Sequence, residues 1–149
     1  MPRVMVIGQP GSGKSTFARL LGDATGLPVV HIDRIHFRPG WVERSRAEKT
    51  ALCAKVHAQD GRILKGGFSA TWPERMARAD TMVWMDLPLW LRAPRIARRT
   101  QKNYGRTRPD MPENCPGSFA PRFLPLDLAH PQIWSKTLRK RIQNCATTY

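Results

Sequence analysis

Apolar residues occur in short clusters separated by glycine, proline or charge, and their spacing switches between two periods along the chain. Arg3 to Ile7 is apolar after its first residue and lacks period-two alternation, the pattern of a strand buried on both faces. Phe17, Leu20, Leu21 and Ala24 then fall at i, i+3, i+4, i+7, one face of a helix that Gly22 or Gly26 can end before Pro28. Leu27 to Asp33 predicts a second strand carried by Val29, Val30 and Ile32, and 34–41 reads as a loop. Ser45 and Glu48 have capping-box spacing and open a helix to about Ala58 with Leu52 and Val56 inward. Asp60-Gly61 stops it, Arg62 to Gly66 is a short third strand, and Gly66-Gly67-Phe68-Ser69 is a flexible turn.

Thr71 is in place to cap a short helix to about Ala79, and Thr81 to Asp86 is a fourth strand closed by an acid. Leu87 to Asn103 is helical in composition; Pro94 either kinks the helix or marks its start. The Gly/Pro-rich stretch 105–117 predicts an ordered but mobile loop, and 132–145 a last helix with Trp134, Leu138, Ile142 and Cys145 on its apolar side. Alternating strand and helix predict an α/β domain with a mostly parallel sheet and helices on both faces. Right-handed crossovers bring the strand C-termini to one edge. That edge collects Asp33, Lys65-Gly66-Gly67 and Asp86. A chain of 149 residues without repeat or linker is one domain.

Between the first strand and first helix lies Gly8-Gln9-Pro10-Gly11-Ser12-Gly13-Lys14-Ser15-Thr16, a phosphate-binding P-loop in its required context. Glycines let successive N–H groups turn inward around a phosphate chain, and the helix start adds its positive dipole end. Gly8, Pro10, Gly11, Ser12, Gly13, Lys14, Ser15 and Thr16 are therefore the expected nucleotide-binding residues. Lys14 supplies charge to the β/γ phosphates, and the Ser15 hydroxyl is placed to ligate Mg²⁺. ATP and Mg²⁺ are the expected cofactors.

Charge narrows the partners. Twenty-five Lys+Arg against eleven Asp+Glu leave a net charge of +14, which favours polyanions: nucleic acid, polyphosphate or acidic headgroups. Zinc-finger spacing, an RNA-recognition signature and a convincing helix-turn-helix are lacking. Cys53, Cys115 and Cys145 are widely spaced and odd in number, which points to neither a disulfide framework nor a zinc site. No apolar run reaches the roughly 18 residues of a membrane span and no signal peptide opens the chain, so the default is cytoplasmic.

The P-loop, His31-Ile32-Asp33, Phe37-Arg38-Pro39-Gly40-Trp41, Gly67-Phe68-Ser69, Trp84-Met85-Asp86-Leu87-Pro88 and Gly105-Arg106-Thr107-Arg108-Pro109-Asp110-Met111 come in a telling order. Over roughly 3–123 it resembles the adenylate-kinase-related DNA topology modulation proteins. The resemblance implies a nucleotide-kinase-like three-layer α/β/α fold with a short Arg-rich lid at about 92–117, and ATP as donor. Two departures stand out. Relatives carry an acid where this chain has Lys65, and the family's last strand has no counterpart after 123. A sheet of about four strands with an exposed or paired edge is expected.

Asp33 reads as an acceptor-side or magnesium-water carboxylate, with a turn residue as the alternative. Asp86 either holds a magnesium water or caps the following helix. Ser15, Asp33 and Asp86 form the candidate metal set. Arg92, Arg95, Arg98, Arg99, Lys102, Arg106 and Arg108 are either a solvated face or a lid closing on phosphate. In the lid reading Lys14, Asp33, Arg99, Arg106 and Arg108 are the catalytic candidates. An ammonium at Lys65 repels Mg²⁺ and attracts phosphate, which predicts weak magnesium coupling. His31 and His36 read as packing residues. Two functions follow: a kinase for a nucleotide or other small acceptor, or a nucleotide-dependent protein that binds DNA and has weak or no kinase activity.

Overall fold

The computed structural model describes residues 2–67 and 71–117. The helix expected over 132–145, and Phe68 and Ser69 of the turn, lie outside these. Four parallel strands form the sheet: β1 (Arg3–Gly8), β2 (Val29–His31), β5 (Arg62–Lys65) and β6 (Thr81–Met85), in the order β2-β5-β1-β6. Helices α1 (Lys14–Thr25), α3 (Arg46–His57), α4 (Trp72–Arg78) and α5 (Leu89–Lys102) connect or follow them. This is the α/β fold with a parallel sheet of four strands that the alternating pattern predicts.

Strand periodicity sorts the core into layers. Val4 and Val6 of β1 pack with Ala18, Leu27 and Ile63 on the α1 side. Met5 and Ile7 pack with Trp72 on the α4 side, and Leu64 of β5 joins Ile32 and Cys53 beneath α3. Because alternate residues face opposite ways, Lys65 shares the α1 face with Ile63. A lysine at the end of an otherwise apolar strand is thereby aimed at the start of α1.

Several expectations change in detail. The inward line of α1 runs through Ala18 and Leu21, whereas Leu20 is 58% exposed and Ala24 lies on the surface. The reason is Gly22, where a Cβ would stand 2.6 Å from Val29 Cγ2. Ala18 and Gly22, one turn apart, let the helix backbone approach the sheet, so the smallest side chains set the contact line. The second strand is shorter than 27–33, because Ile32–His36 forms the one-turn helix α2 and takes Asp33 with it. The expected loop 34–41 also holds the two-residue strand β3 (Phe37–Arg38), a 3₁₀ turn and, next to it, the partner strand β4 (Val42–Glu43).

The capping box is as read. Glu48 N–H donates to Ser45 Oγ at 3.3 Å, and Ser45 N–H to Glu48 Oε2 at 3.0 Å. Thr71 holds the N-cap position of α4 without a side-chain cap bond. Helix α5 begins at Leu89 with Pro88 as its N-cap and runs through Pro94. Asp86 therefore does not cap it.

Candidate nucleotide site

Gly8 closes β1, and Lys14 opens α1, so residues 9–13 make the tight connection that the motif requires. Gly8, Gly11 and Gly13 all have positive φ. At Gly11 a Cβ would lie 2.9 Å from the Arg92 carbonyl and 2.9 Å from Ile96 Cγ1, so α5 packs directly on the loop. The first turn of α1 carries no acid of its own, which leaves its positive end to an anion from elsewhere. Ser12 is buried, with no hydrogen-bond partner for its hydroxyl. The Lys14 ammonium reaches back to donate to the Gln9 carbonyl at 2.7 Å, which holds its charge over the loop. Thr16 is exposed.

Two buried arginines brace this edge. Arg92 is 1% exposed; its Nε donates to the Leu87 carbonyl at 2.9 Å and a terminal nitrogen to the Pro10 carbonyl at 3.1 Å. It ties the P-loop to α5. Arg75 of α4 donates to the Gly67 carbonyl at 2.6 Å and the Gly66 carbonyl at 3.0 Å, and so fixes the first residues of the turn expected to be flexible. Burial pulls its guanidinium down to about 10.

Beside the loop lies an ion cluster assembled from three distant stretches. Lys65, with a side chain 3% exposed, donates to Asp33 Oδ2 at 3.0 Å and to Asp110 Oδ2 at 3.2 Å. Ser15 Oγ donates to the same Asp110 oxygen at 3.3 Å, and Arg108 Nε stands 3.8 Å from Asp110 Oδ1. Burial pushes the Asp110 carboxyl up, but Arg108 and Lys65 outweigh it and hold the group below the usual carboxylate range. His31, in register with Lys65 across β2 and β5, is lowered by burial and then by the Lys65 charge. Lys65 and Asp110 are the two most buried members, so losing either would leave the other's charge poorly compensated.

The segment 105–117 folds as a compact loop, with Gly105 N–H donating to the Gly117 carbonyl at 2.9 Å. It is fastened across the site to the β3–β4 hairpin. Trp41 donates its backbone N–H to Cys115 Sγ at 3.3 Å and its indole N–H to the Pro116 carbonyl at 3.1 Å. Gly40 N–H donates to the Glu113 carbonyl at 3.3 Å, and Arg34 to the Pro109 carbonyl. Beyond α2 a hollow of about 320 Å³ is lined by Val29, His31, Arg34, Ile35, Arg44 and Leu52 among others.

The predicted residues are thus gathered unevenly. Lys14, Ser15, Asp33 and Arg108 share the edge at the P-loop. Arg106 is exposed, and Arg99 lies in the last turn of α5. Of the candidate metal set, Ser15 and Asp33 meet at the Lys65–Asp110 cluster, whereas Asp86 lies at the end of β6 beyond β1. Asp86 follows β6, which is two strand spacings, about 10 Å, from the end of β5 where Lys65 and Asp33 meet. Magnesium takes near-octahedral oxygen ligands at about 2.0–2.1 Å and keeps several waters. Here one oxygen of Asp33 and one of Asp110 already accept from an ammonium. Among the described residues no group of three or more His, Cys, Asp or Glu could hold a metal. The arrangement fits a lysine, not Mg²⁺. Asp110 and Arg92 were not singled out from the sequence. Asp110's signal is that it follows seven basic residues with no intervening acid; Arg92's is its i, i+4 spacing to buried Ile96.

Comparison with known proteins agrees with the P-loop. Residues 4–64 match the model of the ATPase family associated with various cellular activities (AAA). The cytidylate kinase of Aeropyrum pernix is 33% identical over 112 residues, covering 64% of this chain; the chain spans 63% of that enzyme's length. A gluconokinase from Sinorhizobium meliloti 1021 superposes with a TM-score of 0.49 at 18% identity, covering 73% of this chain and 69% of that one. A sugar kinase from Janibacter sp. HTCC2649 gives 0.48 at 18% identity, covering 89% and 78%. At those scores the fold stands on the sheet order described above. The sequence similarities support a kinase-like, ATP-binding P-loop protein and do not show the DNA topology modulation family. No described helix is long and apolar enough to cross a membrane.

Proposed function

We propose that this protein is an ATP-dependent kinase for a small acceptor of nucleotide type. The observation that carries this reading is the P-loop backbone between β1 and α1, with Lys14 over it and the 105–117 loop held against the start of α1 by Asp110 and Ser15. In the reaction an acceptor oxygen bonds to the γ-phosphorus, the bond to ADP breaks, and the acceptor's proton passes to a base. Asp33, at the head of α2 beside the hollow, is the acceptor-side carboxylate. Arg34 and the apolar wall from Val29 and Leu52 suit an acceptor with a flat apolar part and an anionic part. Lys14, Lys65 and Arg108, joined by Arg99 and Arg106 as the loop closes, supply the positive charge on which phosphoryl transfer depends.

The test is ATP consumption across a panel of nucleoside monophosphates and small alcohols, with and without DNA. Turnover is expected with at least one small acceptor and independent of DNA. Lys14→Ala is expected to remove most ATP affinity in calorimetry while the circular dichroism spectrum is unchanged. Alanine at Arg106 or Arg108 should lower kcat more than it weakens nucleotide binding. DNA binding at physiological salt without turnover on any acceptor would instead make the basic surface the functional one.

A further inference from the structure

Resting on that reading of the P-loop, we propose that the Lys65 ammonium stands in for the divalent cation of this site, so that the protein binds its polyphosphate as the metal-free anion. The lysine is placed by the backbone. It ends β5 in register with Val6 of β1, on the face that receives the start of α1. At 3% side-chain exposure it is not a surface chain free to swing into water. Asp110 Oδ2 accepts from Lys65 at 3.2 Å and from Ser15 Oγ at 3.3 Å, so the ammonium lies one shared oxygen away from the P-loop hydroxyl.

The carboxylates that would organise a metal's waters are the two that hold the lysine, Asp33 at 3.0 Å and Asp110 at 3.2 Å. A divalent ion entering there must displace a fixed positive charge or sit against it. An ammonium has three donors, and these two acids take two of them, leaving one N–H for a phosphate oxygen. Arg108 on the far side of Asp110 offsets the second carboxylate, so with Lys14 three cations face two anions before any ligand arrives. That surplus suits uncomplexed ATP better than its magnesium complex, which carries two fewer negative charges.

The test compares ATP binding with and without the divalent cation. Calorimetric ATP affinity of the native protein is expected to be at least about threefold tighter in excess EDTA than in millimolar Mg²⁺, which ties up ATP as its complex. Lys65→Met, and Lys65→Gln as a neutral polar control, should bind ATP at least about tenfold more weakly in EDTA and regain affinity with Mg²⁺, because the freed oxygens can now serve the metal. Mn²⁺ titration of the nucleotide-free protein, followed by electron paramagnetic resonance, should show no tight site in the native protein and a new one in Lys65→Met. A native ATP affinity in EDTA less than about threefold tighter than in millimolar Mg²⁺ overturns the proposal, as does a native Mn²⁺ site in the absence of nucleotide. Both results come from the native protein and do not depend on a variant folding. Failure to bind ATP in either buffer overturns the P-loop reading as well, and is told apart because no binding heat appears with or without the metal.

Discussion

Replacing Arg92 by leucine tests whether the P-loop is held from α5. The side chain is 1% exposed and donates to the Leu87 carbonyl at 2.9 Å and the Pro10 carbonyl at 3.1 Å. Leucine fills part of the volume but leaves both carbonyls without these donors. Hydrogen bonds from a charged group are worth about 1.5–3 kcal/mol each, so the two together amount to roughly 3–6 kcal/mol. Against a total stability of about 5–15 kcal/mol that is a large fraction. In a domain of this size it corresponds to a melting temperature lower by about 10–20 °C. Arg95→Leu, on the exposed side of the same helix, controls for charge and helix propensity and should melt within about 2 °C of the native protein. Differential scanning calorimetry gives both numbers, and ATP calorimetry below the lower melting point gives the effect on the loop. If Arg92→Leu melts as Arg95→Leu does and binds ATP as the native protein does, Arg92 is not a brace.

Ser45→Ala removes the acceptor of the Glu48 N–H and should lower the melting temperature by about 3 °C, the usual worth of a lost serine cap; an unchanged melt would show that α3 is held by tertiary packing alone. His31, His36 and His57 are all lowered, burial being the largest cause for each. With folded values below the unfolded value of about 6.5, the unfolded chain binds more protons between the two. Stability should be complete above that pH and fall as the pH drops through the window; a melting temperature that is flat or higher at pH 5.5 than at pH 7.5 refutes the sign.

The strand–loop–helix core was legible because a single motif demands all three parts within a few residues of one another. The α3 cap and the sheet edge carrying Asp33, Lys65 and Asp86 were legible for the same reason, local chemistry at fixed spacing. The inward face of α1 was not, since the spacing favours Leu20, whereas the packing is set by the absence of side chain at Gly22 against Val29. Helix α2 is five residues long and the β3–β4 strands two each, too short for any period to register. Arg92 was hidden among seven basic residues because exposure distinguishes it from its neighbours, and composition does not. The contacts of Asp110 with Ser15 and Lys65 span 95 and 45 residues of chain. Only the folded molecule brings them within hydrogen-bond distance.

The fastening of loop 105–117 to Trp41 has a kinetic side. Trp41 and Gly40 both sit at positive φ, and their N–H groups and the indole meet Cys115, Glu113 and Pro116. Parting the loop from the hairpin releases these bonds as a group, since all lie on one short turn. Such a parting belongs to the microsecond-to-millisecond range of loop motion. The turn carries its own indole among the chain's five tryptophans, so temperature-jump relaxation of tryptophan emission, with Trp41→Phe as the control, would report the opening rate.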